Sequence, residues 1–103
     1  MSRRWYFLKH RYGLSESEYR ALFTKQNGGC GVCGSKENKG ARNKSVLDVD
    51  HDHVTQTVRG LLCRYCNNAI GVLGDSVGGL MAAIDYLQGT PPPEVVQETA
   101  PYL

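Results

Sequence analysis

Two cysteine pairs of the form C-x2-C, Cys30 with Cys33 and Cys63 with Cys66, constrain this chain more than any other feature. Two intervening residues let both thiolates of one tight turn grip a single ion. Two such pairs complete a tetrahedral four-sulfur set, the usual closed structural zinc site. The 29 residues from 34 to 62 that separate the pairs exceed the roughly 15–20 of a simple zinc ribbon. That extra length carries Asp50, His51, Asp52 and His53 in a row, and Asn67 and Asn68 follow directly on the last cysteine.

Four cysteines could also pair as two disulfides. The apolar run within residues 1–9 is too short for a secretory signal, and no stretch is long enough to cross a membrane. We therefore expect a reduced, cytoplasmic protein in which the cysteines bind metal. A chain of 103 residues gains only modest stability from its core, which makes a metal staple useful. We expect one domain over residues 1–90, with a zinc-clamped core at 30–73 and a Pro-rich, flexible tail at 91–103.

The net charge of +2 hides an asymmetry. All 12 Lys and Arg lie in residues 1–66 against six acids there, a local balance of +6, while residues 67–103 hold four acids and no Lys or Arg. A basic half around a metal cluster suits a polyanion such as nucleic acid, although solvated surface charge would look the same.

Local patterns predict the elements. Residues 3–12 carry Trp5, Leu8 and Tyr12 at helical spacing and stop at Gly13. Ser15 and Glu18 form a capping box that opens a second helix with Tyr19, Leu22, Phe23 and Gln26 as its stripe. Residues 34–45 lack apolar periodicity and read as an exposed basic loop bearing Lys36, Lys39, Arg42 and Lys44. Residues 46–51 alternate as a strand and 58–62 form its hairpin partner. In a regular strand Asp50 and His51 point to opposite faces, so both serve one site only if the strand bends there. A helix from about Tyr65 or Cys66 to Leu73 follows. A last helix, capped by Asp75 or Ser76 and ended by Gly89, should bury Val77, Leu80, Met81, Ile84 and Leu87.

CGVC, LDVDHDH and VRGLLCRYCNNAIG, taken together from Cys30 to about Gly71, resemble the phage recombination endonuclease VII family, a branch of the HNH (ββα-metal) nucleases. The resemblance implies an α+β fold with a small zinc-stapled ββα-metal core and flanking N- and C-terminal helices. It implies a metal-dependent DNA endonuclease that nicks or cuts duplex or branched DNA. Zinc at Cys30, Cys33, Cys63 and Cys66 is then structural. His51 is the general base, and Asp50 and Asn67 hold a catalytic Mg²⁺ or Mn²⁺, an ion that prefers oxygen ligands. His53 positions the phosphate or supports His51. Products should carry 5′-phosphate and 3′-hydroxyl ends. At Ile70 this chain has an apolar residue where some members place a Glu near the metal.

We expect DNA contacts from Lys39, Arg42, Lys44 and Arg59, a monomer or homodimer, no membrane, and phage recombination or packaging proteins as possible partners in the host-cell cytoplasm. A calcium loop from Asp48, Asp50 and Asp52 is excluded because His53 replaces its Gly and Arg59 its final Glu. The alternative function is a non-catalytic zinc module that binds nucleic acid or a protein, which would have no need of Asp50, His51 and Asn67 together.

Overall fold

A computed structural model describes residues 3–89, which form four helices and one two-stranded sheet in an α+β arrangement. They fall into two compact units divided between Ala69 and Ile70. The expected tail at 91–103 lies outside the described residues.

The first helix, α1 (Arg3–Tyr12), and the second, α2 (Glu16–Lys25), match the expected spans. Gly13, at φ +69°, ends α1 in the left-handed conformation that glycine adopts without penalty. Its N–H donates to the Lys9 carbonyl, the single bond of an αL cap, and the Leu14 N–H donates to the Leu8 carbonyl. Ser15 then caps α2. The Glu18 N–H donates to Ser15 Oγ while the Glu18 carboxylate accepts from the Ser15 N–H at 2.8 Å. Those bonds hold the Glu18 carboxyl below its usual range.

The two helices meet through aromatic rings. Trp5 and Tyr19 lie edge to face at 5.3 Å, and the Arg4 guanidinium sits over both, 4.6 Å from Trp5 and 4.5 Å from Tyr19. Such pairs add about 0.5–1.5 kcal/mol beyond area burial. Only part of the α2 stripe is core: Tyr19 is buried, Phe23 is exposed, and Gln26 is a bracket rather than packing.

The sheet pairs β1 (Asp48–His51) with β2 (Val58–Leu62) in antiparallel register, Asp48 opposite Leu62 and Val49 opposite Leu61. Leu61 is wholly enclosed, and Leu47, Val49 and Leu62 are buried around it. β1 begins two residues later than its alternation suggests, because the Val46 carbonyl accepts from Asn38 Nδ2 at 2.7 Å instead of joining the ladder. Residues 34–45 form the expected loop with Lys36, Lys39, Arg42 and Lys44 exposed, and the same asparagine anchors it. Asn38 and Ala41 are buried there.

Gln26 performs the matching service on the other strand. Its Nε2 donates to the carbonyls of Gly29 and Leu61, and its Oε1 accepts from the Leu61 N–H. Gly60 lets Gln26 approach, since a Cβ there would lie 2.7 Å from Oε1. The backbone of β2 is thereby tied to the turn that bears Cys30.

The third helix, α3 (Arg64–Val72), begins as soon as β2 ends and completes a β-β-α sequence. It starts one or two residues earlier than expected, with the Arg64 N–H donating to Asn38 Oδ1 at 2.6 Å. In the second unit, the fourth helix, α4 (Val77–Leu87), is capped by Ser76, whose Oγ accepts from the Gly79 N–H. The expected burial of its apolar stripe is not found. No residue of α4 is buried, and Val77, Leu80, Met81, Ile84 and Leu87 are all exposed. Periodicity marks a helix face capable of burial, and the fold alone decides whether anything covers it.

Candidate functional site

The two C-x2-C turns come together at one end of the hairpin. All four Sγ atoms of Cys30, Cys33, Cys63 and Cys66 lie within 4.8 Å of one another, with Cys33 and Cys63 3.9 Å apart. Four thiolates at zinc–sulfur distances of about 2.3 Å in a tetrahedron have sulfurs about 3.8 Å apart, so the cluster has the dimensions of the site. The knuckles are held by backbone bonds. Cys30 N–H donates to the Ser35 carbonyl, Gly34 N–H to the Cys30 carbonyl, and Gly31 N–H to the Leu61 carbonyl.

Cys30 and Cys66 are shifted in opposite directions. Burial pushes Cys30 up, but backbone N–H groups at Cys33, Cys63 and Val32 outweigh it and bring it down to about 6. Burial and then the neighbouring sulfurs push Cys66 up to about 12. Each new thiolate makes the next harder to form, and a divalent cation relieves that repulsion. Soft sulfur donors in this geometry fit zinc.

The other end of the hairpin carries the acidic-histidine row. The ladder is regular through Asp50 opposite Gly60, then shifts so that His51 faces Val58. Arg59 is the extra residue in β2, and bulges of this kind bend a strand and re-aim a side chain. The pairing shift falls at the Asp50–His51 step, where the sequence called for a bend. The His51 ring neighbours two others, 5.3 Å from Tyr12 and 4.7 Å from His53. Asp52, given no metal role by the sequence, shapes the turn. Its Oδ1 accepts from the N–H groups of Val54 and Thr55.

Asp50 is 8% exposed, and the Arg59 guanidinium grips it at both oxygens, Nε to Oδ2 at 2.8 Å and Nη2 to Oδ1 at 3.1 Å. The expected metal ligand and the expected phosphate contact therefore hold each other. Asn67 lines a cleft of about 700 Å³ together with Tyr12, Arg3, Arg4, Asp48 and Arg64. Tyr12 thus borders both His51 and the cleft that holds Asn67. Among the described residues, no cluster of three or more His, Cys, Asp or Glu apart from the cysteine tetrad could hold an ion. An ion at Asp50 and Asn67 would have few protein ligands.

The basic residues divide by environment. Lys39 donates to the Cys33 sulfur, which holds its ammonium pKa up. Lys44 Nζ donates to the Ala41 carbonyl at 3.3 Å, and Arg42 is exposed. The sequence reading passed over Arg3, Arg4 and Arg64, three basic residues that line the cleft. Arg64 pairs with Asp48 through two bonds of 2.6 and 3.0 Å, and this raises its pKa. Its place directly after Cys63 was the available signal. Asn38, whose bonds align Asp48, Val46 and Arg64, gave none.

The model for recombination endonuclease VII matches residues 6–89, which include the cysteine tetrad and the hairpin. The chain belongs to the recombination endonuclease VII family. Within curated proteins, it is 43% identical over 88 residues to the Gene 59 protein of Mycobacterium phage D29, covering 84% of this chain and 51% of that protein. Identity is 39% over 88 residues, with the same coverage, for the Gene 59 protein of Mycobacterium phage L5. The chain spans about half the length of these curated relatives. No solved structure matches it. Membership fits the order of parts on this chain, since the family match runs across both cysteine pairs and the hairpin between them. No single helix among the described residues is long and apolar enough to cross a membrane.

Proposed function

We propose that this recombination endonuclease VII family member is an HNH-type, metal-dependent DNA endonuclease with His51 as general base. The observation that carries the reading is the break in the ladder between Asp50 and His51, on a hairpin closed by the cysteine tetrad and followed by α3. A regular strand would send the two side chains to opposite faces, and interrupted pairing at this step leaves β1 room to turn them toward one site.

In this reading zinc at Cys30, Cys33, Cys63 and Cys66 is structural. Asp50 and Asn67 would hold Mg²⁺ or Mn²⁺, and the Arg59 guanidinium on Asp50 supports the fit by occupying a place where a cation is favoured. The bound ion supplies positive charge to the phosphate and the leaving 3′ oxygen. His51 takes the proton of the attacking water, leaving 5′-phosphate and 3′-hydroxyl ends, while the Tyr12 and His53 rings limit the tilt of its imidazole. Arg3, Arg4 and Arg64 beside Asn67, with Lys39, Arg42 and Lys44 from the loop, make the surface that meets the DNA backbone. The setting is the cytoplasm of a phage-infected cell, in recombination or packaging.

The test is nicking of supercoiled plasmid with Mg²⁺ or Mn²⁺. His51→Ala should keep its zinc and its DNA affinity but lose about 10²–10⁴-fold in rate, the usual contribution of a positioned base. Its residual rate should rise with pH as hydroxide replaces the missing base. Nicking by His51→Ala at the wild-type rate would remove His51 from the mechanism. A wild type that nicks neither duplex, branched nor single-stranded DNA would leave the non-catalytic zinc module.

A further inference from the structure

The Asp50–Arg59 pair poses a problem of access. The carboxylate is buried, and each of its oxygens accepts one bond from a single guanidinium. Arg59 is also the residue the register break inserts into β2, and its own side chain is about a third exposed. The fork therefore reaches inward to Asp50 from the edge of the sheet. Gly60, directly opposite Asp50, offers no side chain that could share the carboxylate.

We infer that Arg59 is a positioning residue that competes with the catalytic divalent ion for Asp50, so that loading the ion hands Arg59 over to the substrate phosphate. This rests on the reading of Asp50 as a metal ligand given above. Electrostatics orders the exchange. The guanidinium holds the carboxylate oriented before the ion arrives. A divalent ion on the same carboxylate leaves an excess positive charge that repels the guanidinium. A phosphate arriving with the ion supplies two or more acceptor oxygens, and the planar fork of arginine suits them as well as it suits a carboxylate. One side chain thus couples metal loading to phosphate contact. The apo site is held ready and neutral overall.

The experiment measures Mn²⁺ binding to the zinc-loaded protein without DNA, by the electron paramagnetic resonance signal of free Mn²⁺. It compares wild type, Arg59→Leu, Arg59→Lys and Asp50→Asn. Removing the competitor should tighten Mn²⁺ binding about tenfold in Arg59→Leu, even as cleavage falls. Arg59→Lys should lie between it and wild type, because a lysine keeps the charge but not the fork. Mn²⁺ should also raise the melting temperature of Arg59→Leu more than that of wild type, since a ligand stabilises most where it binds most tightly. A merely structural arginine would not tighten metal binding when removed. If Arg59→Leu does not fold, tighter Mn²⁺ binding by Arg59→Lys carries the inference.

Folded Arg59 variants that bind Mn²⁺ no more tightly than wild type overturn the exchange. With Asp50→Asn losing Mn²⁺ in the same experiment, the exchange alone fails and Asp50 stays a ligand. Asp50→Asn binding Mn²⁺ as wild type does would instead remove Asp50 from the metal site, and the exchange with it. Absence of Mn²⁺ binding in all four proteins has the same consequence.

Discussion

Where β1 and β2 run toward Cys63, Leu61 and Cys63 are fully enclosed, Gln26 and Asn38 bracket the strand backbones, and four sulfurs converge. Beyond the register break the same hairpin carries His51 partly open, His53 exposed and Val54 at 90% exposure. One end is held by burial, a metal-sized sulfur cluster and satisfied polar groups. The other is held by a turn that Asp52 closes with its own side chain. The most open part of the hairpin thus lies only a few residues from its most constrained point.

The sharpest way to break this contrast is at the enclosed end. Structural zinc contributes an apparent ~10–16 kcal/mol at neutral pH in small peptides, comparable to or above a small domain's whole stability. Cys63→Ser should therefore abolish cooperative folding and zinc retention, read by circular dichroism and metal analysis. A chain that melts cooperatively after exhaustive removal of zinc would show that the sulfur cluster is not what holds this end.

A smaller effect should come from Asn38→Ala, which keeps every cysteine. It strips partners from the Val46 carbonyl, the Arg64 N–H and one Asp48 bond. Leaving buried backbone groups unpaired costs about 1–3 kcal/mol each before any rescue by water. A loss of roughly 2–4 kcal/mol in chemical denaturation, with zinc still bound, is expected. No measurable loss would mean that the metal alone sets the stability of the enclosed end.

Least of all should follow from Val54→Ser at the open end. That side chain touches almost nothing, so stability should stay within about 0.5 kcal/mol of wild type. A loss above about 1 kcal/mol would show that the tip is packed, and would erase the contrast.

Much of this was legible in the sequence, and the reasons are local. Gly13 and the Ser15–Glu18 box satisfy helix ends through residues only three or four positions away, so pattern alone locates α1 and α2. C-x2-C spacing is equally local, and ligand chemistry then requires the two turns to meet. The hairpin and its following helix could be placed within one or two residues. What the tertiary structure decided involved partners far apart in sequence or choices among equivalent groups. Gln26 meets Leu61 across 35 positions, and Asn38 meets Arg64 across 26; an amide side chain has no periodicity to betray such a partner. The α4 stripe had every mark of a core face, yet burial belongs to a pair of surfaces and one sequence shows only one of them. Asp50 and Arg59 were each assigned to something outside the chain, an ion and a phosphate. Opposite charges nine residues apart on a hairpin can bond only if the register brings them level, and the inserted residue at the Asp50–His51 break set that register.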